Sequence, residues 1–113
     1  MTPLTNGNKS RRVTISIDPA LEELVPGFLE NRRRDVVALA HAAKAGDVRT
    51  VRLLGHRMKG DGGGYGFQEI SDIGEALEQA ASRQDWKVIV QKTEALKAFL
   101  AQVDVVYRRQ DRV

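Results

Sequence analysis

Apolar residues recur along most of this chain at spacings of three and four, the period of helices that bury one face. The stripe Phe28, Leu29, Val36, Leu39, Ala40 and Ala43 predicts a helix. It starts at Pro26, a residue tolerated in the first helical turn, and stops at Gly46. Asp47 is a good N-cap for a second helix, with Val48, Val51, Leu54 and Met58 on its buried face. That helix runs into Gly60-Asp61-Gly62-Gly63-Gly64-Tyr65-Gly66, where it is expected to fray or turn. Phe67, Ile70, Ile73, Gly74, Leu77 and Ala81 mark a third helix, which meets the polar run Ser82-Arg83-Gln84-Asp85. Asp85 caps the last, whose seam of Trp86, Ile89, Thr93, Leu96, Leu100, Val103 and Tyr107 carries it through Tyr107.

Ahead of these segments, Val13-Thr14-Ile15-Ser16-Ile17 alternates as a strand does, but no second strand pattern offers to pair with it. It reads as an extended lead-in covering one side of the domain. Asp18-Pro19 then opens a short helix through about Leu24. The predicted fold is therefore all-α: an antiparallel four-helix bundle with a short extra N-terminal helix, in one domain over residues 13–110. Residues 1–12, polar and without periodicity, read as a disordered tail.

Composition narrows the class. At 113 residues the chain can bury roughly two-thirds of its unfolded surface and hold a core without staples. The absence of cysteine excludes disulfides and thiolate metal sites and suits a reducing cytosol. Neither a secretion signal nor an apolar run of about 18 residues is present, so a soluble, cytoplasmic protein with no membrane contact is expected; a monomer is expected as well. The net charge of +3 comes from clusters such as Arg32-Arg33-Arg34, read as solvated faces. With aromatics at 5%, a nucleic-acid surface is disfavoured.

Candidate chemistry concentrates in Gly55-His56-Arg57-Met58-Lys59-Gly60. At 100° per residue His56 points roughly 160° away from the Val48, Val51, Leu54 and Met58 stripe, so its imidazole faces solvent. Arg49, Arg52 and Lys59 share that side, and Gly60 and Gly63 leave it bare. An imidazole, with an ordinary pKa of about 6.5, is a nucleophile near physiological pH and can accept a phosphoryl group on a ring nitrogen. Lys59, one turn on, can set an ammonium against the phosphoryl oxygens, and the glycines clear room for a second protein to dock. His41, alone on its helix, reads as ordinary surface. The glycine run matches neither nucleotide-loop pattern. Two histidines fifteen residues apart, with no cysteine, make no metal site.

These residues resemble the histidine phosphotransfer (HPt) family, whose signature is His-x-x-Lys-Gly, small residues after it, and a Gly ten positions beyond the His. His56, Lys59, Gly60 and Gly66 stand at those spacings, and the resemblance runs over residues 18–107. It departs at Asp61 and Gly62, where the family usually has Ser or Ala. The resemblance implies a carrier that passes a phosphoryl group between aspartates of response-regulator receiver domains through phospho-His56, with Mg²⁺ held by the receiver and no cofactor of its own. A chain of this length has no room for an ATP-binding kinase domain, so it is not expected to be an enzyme; a hybrid histidine kinase is a further partner. The related phosphotransfer domains of chemotaxis kinases carry an acid in the next helix that orients the imidazole, a role that falls here on Glu78. Receiver docking is expected around Arg52, Gly60, Gly63, Gln68 and Ser71. The alternative is a non-catalytic helical module that binds a receiver or kinase without transferring phosphate.

Overall fold

A computed structural model describes residues 12–108. The tail expected over residues 1–12 lies outside them except for Arg12, as does the domain limit expected at residue 110. Four helices carry the fold: α1 (Val25–Ala45), α2 (Val48–Gly64), α3 (Gln68–Ser82) and α4 (Trp86–Gln102). Local chemistry sets their ends. Pro26 lies in the first turn of α1, and Gly46 closes it at φ +68, where a residue without Cβ is unstrained. Asp47 and Asp85 cap α2 and α4, accepting from the amides of Thr50 and Val88. The hydroxyl of Thr50 also donates to Asp47, and these bonds hold the Asp47 carboxyl below its ordinary pKa.

Packed neighbours close a ring: α1 on α2, α2 on α3, α3 on α4, and α4 back on α1. Inside it lie Leu39, Val51, Met58, Phe67, Ile70, Leu77, Ile89 and Leu96, all fully buried. Full burial of such side chains contributes about 1.5–3 kcal/mol each. Phe28 stacks on Tyr65 at 4.3 Å and on Phe67 at 5.6 Å, and Phe67 meets Phe99 edge-on. Trp86, expected in the core, is only half-buried against it, and Ala40 is exposed.

The all-α expectation fails at both ends of the bundle. α4 stops at Gln102, and Val103–Tyr107 forms a strand, β2, parallel to β1 (Val13–Ile17), in register from Val13↔Val103 to Ile17↔Tyr107. The lead-in segment thus has a partner after all, supplied by the segment read as the last turns of α4. β-branched residues at alternate positions favour the pleat over another helical turn. The short N-terminal helix is a single 3-10 turn, Pro19–Leu21, with Asp18 capping Ala20. Arg12, the last residue assigned to the tail, clamps the sheet instead. Its guanidinium holds Asp104 at 2.7 Å and donates to the carbonyls of Ala101 and Val103. That hydrogen bonding holds the Asp104 carboxyl below its ordinary pKa.

Arg32 is a correction to the solvated basic run. It is buried, pairs with Asp35 at 2.7 Å and lies 4.8 Å over the Phe28 ring. Burial pushes the Asp35 carboxyl up, outweighing the pull of Arg32.

Candidate functional site

The glycine-rich end of α2 does not fray as expected. The helix continues through Gly60, Gly62, Gly63 and Gly64, and Phe67 then opens α3. Packing overrides the poor propensity of these residues. A Cβ on Gly62 would stand 2.6 Å from the Ser71 amide nitrogen, one on Gly74 2.5 Å from the Lys59 nitrogen, and one on Gly55 2.8 Å from the Glu78 nitrogen. Ser71 closes the seam by donating its hydroxyl to the Lys59 carbonyl at 2.6 Å. Touching positions rise along α2 as they fall along α3, so these two helices run in opposite directions at backbone contact.

That contact places the site. The imidazole of His56 is 70% exposed. Its Nδ1 lies 3.0 Å from Glu78 Oε2, across the seam from Gly55. The Lys59 Nζ lies 3.8 Å from the other oxygen, Oε1. One carboxylate, three-quarters buried, therefore spans the histidine and the lysine. A carboxylate only accepts, so in the neutral imidazole this bond requires the ring proton on Nδ1 and leaves the Nε2 lone pair free.

Around the imidazole the surface is low. A shallow depression of about 640 Å³ beside it is lined by Asp47, Arg49, Thr50, Arg52, Leu53, His56 and Glu78. A Cβ on Gly60 would meet nothing within 4 Å, and one on Gly63 only the Gln68 amide oxygen at 3.9 Å. Gln68 in turn donates to Asp72 at 2.9 Å. Arg52, Gly60, Gly63 and Gln68 thus lie exposed on the α2–α3 side, whereas Ser71 is half-buried with its hydroxyl committed to the seam. His41 is exposed on α1.

Leu53, half exposed beside His56 and lining the same depression, was missed from sequence. Its place three residues before His56 on a helix was the available signal. Gly55 and Gly74 were missed as the seam that brings Glu78 within reach. Among the described residues no group of three or more His, Asp or Glu side chains comes together that could hold a metal ion. No helix among them is long and apolar enough to cross a membrane.

A family model, the Hpt domain, matches residues 23–105, most of the chain and all four helices. The chain belongs to the Hpt domain family. No curated protein and no solved structure matches it. Hpt domains are the phosphocarriers of two-component signalling; they work with receiver domains and kinases and have no kinase catalytic domain of their own. In this Hpt domain the matched region takes in α2 and α3 entire, with His56, Lys59 and Glu78.

Proposed function

We propose that this Hpt domain relays a phosphoryl group between receiver aspartates through Nε2 of His56, as a monomeric antiparallel four-helix carrier in the cytoplasm. The observation that carries the reading is the 3.0 Å contact of Nδ1 with Glu78 on a ring otherwise open to solvent. Nε2 attacks the phosphorus of a receiver's aspartyl phosphate, the bond from phosphorus to the carboxyl oxygen breaks, and the aspartate leaves as a carboxylate. The Nδ1 proton stays on the ring, facing Glu78, which offsets the positive charge the ring acquires. The same steps in reverse load the next receiver. Lys59 turns its ammonium from Glu78 to the phosphoryl oxygens, and Mg²⁺ belongs to the receiver.

The attacked phosphorus has to come within about 3–3.5 Å of Nε2, so a receiver needs a low surface there. Gly60 and Gly63 supply it, with Arg52, Leu53 and Gln68 at its edges.

The test is incubation with phosphorylated receivers. Label on the chain should be acid-labile, base-stable and absent from His56→Gln, whose thermal unfolding should match that of the parent. Label retained by folded His56→Gln would overturn the assignment. Receiver binding without any labelling of the parent would return the domain to the non-catalytic module.

A further inference from the structure

Across the ring from the α2–α3 seam, α4 and α1 leave a furrow that phosphotransfer does not use. Three depressions of about 280, 310 and 210 Å³ run into one another along it. The first two share Val36 and Lys97; the second and third share Thr93 and Glu94. From Arg33 to Lys44 this covers eleven helical steps, about 16 Å or three turns. Its apolar edge is real surface: Val37 and Val90 are 57% and 49% exposed. Ala40 and Ala43 keep the floor low between them.

The rim is basic. Arg33, Lys44 and Lys97 line the furrow, with His41 beside them, and Glu94 is the one acid among the lining residues. Arg33 also meets Glu30 at 3.2 Å, an exposed pair that binds weakly and exchanges readily.

We infer that this furrow is a docking site for an acidic amphipathic helix of a partner protein. A helix of about three turns fits its length, with apolar side chains over Val37 and Val90 and carboxylates against the flanking cations. A second copy of this chain fits poorly, because symmetric pairing here sets one basic rim against another. A bilayer surface reaches the ridge cations but not the floor between them. Docking here leaves His56, on the far side of the ring, open to a receiver.

The experiment titrates the full-length chain, isotope-labelled for amide shifts, with a capped peptide of about twelve residues, Leu on one helical face and Glu on the other. Shifts should appear at Val37, Ala40, Val90 and Lys97 and not around His56. The double variant Lys44→Glu/Lys97→Glu should weaken binding roughly tenfold, and added salt should weaken it too. The same peptide with Lys for Glu should not bind. Several results would overturn the inference: no shifts at millimolar peptide, shifts centred on α2, or equal binding of the Lys peptide. So would vesicles of phosphatidylglycerol and phosphatidylcholine binding in preference to the peptide, or sedimentation showing a dimer that the double variant dissolves.

Discussion

Two alanines in one helix separate the jobs of its glycines. Gly60 and Gly62 both lie inside α2, so replacing either by Ala brings the same propensity gain, up to about 1 kcal/mol, and the same loss of freedom in the unfolded chain. They differ in what the new methyl meets. At Gly60 nothing stands within 4 Å, so Gly60→Ala should stabilise the domain by about 0.5–1 kcal/mol. At Gly62 the methyl would sit 2.6 Å from the Ser71 nitrogen and 3.0 Å from both the Phe67 carbonyl oxygen and the Ser71 Cα. Ordinary contact needs about 3.5–4.0 Å, so α2 and α3 must part by roughly 1 Å.

Backbone atoms cannot step aside as a flexible side chain does. Overpacking of this kind costs about 1–3 kcal/mol. The Ser71 hydroxyl bond to Lys59, stretched with it, adds about 1 kcal/mol. Against the propensity gain, Gly62→Ala should lose about 1–3 kcal/mol, and the two variants should differ by about 2–4 kcal/mol. For a domain of this size that is a separation of roughly 8–16 °C in Tm. Thermal and urea unfolding of both variants measure it. Equal shifts would refute the claim that backbone contact, rather than helix propensity, governs this stretch.

Glu78→Ala should slow phosphotransfer about 10–100-fold with a smaller loss in Glu78→Gln, which keeps an acceptor. Ring-nitrogen shifts of His56 should then show the proton distributed over both nitrogens in the Ala variant, and an unchanged tautomer would make Glu78 merely structural. Asp35→Ala, which strands a buried guanidinium, should cost about 3 kcal/mol, while Arg32→Met/Asp35→Leu should unfold within about 1 kcal/mol of the parent. A double variant as weak as the single one would show that the pair is worth more than its burial. Acid should unfold the domain through Asp47 and Asp104. Their lowered pKa values give stability that is present above the unfolded value of about 3.9 and lost as pH falls through the folded values. Asp35, raised by burial, acts in the opposite sense, its contribution fading as pH rises, so Asp35→Asn should steepen the acid limb of a Tm-against-pH curve.

Signals confined to a few residues were legible in the sequence. Asp47, Asp85 and Gly46 delimit helices by bonds to backbone one turn away, and the angle of His56 from the Val51 and Met58 stripe follows from helical period alone. What escaped depends on distant partners. Val13 pairs with Val103 across ninety positions, and Val103 and Tyr107 also continue the helical seam, so periodicity favoured the wrong element. Arg32 sits in a basic run that composition reads as surface; only Asp35 at i+3 and Phe28 at i−4 hinted at a buried pair. The glycines of α2 break helices by propensity, and what holds them helical is the backbone of α3.

That dependence joins the fold to the chemistry. Gly55 stands against the backbone of Glu78 itself, and Gly74 against that of Lys59, so two of the seam's close approaches fall at the two residues that flank the His56 ring. A wider helix pair, such as alanines at 55 and 74 would impose, moves the Glu78 carboxylate away from Nδ1 by about the same 1 Å. A 3.0 Å hydrogen bond then becomes a gap of about 4 Å, too long to fix the tautomer. In the proposed transfer, small residues at the seam are therefore part of what would aim Nε2, although none of them would touch the phosphoryl group. In the proposed relay the bare surface at Gly60 and Gly63 would serve the incoming receiver instead, so that glycine recurs in this segment for two separate reasons: on one side of α2 to admit α3, on the other to leave room for a partner.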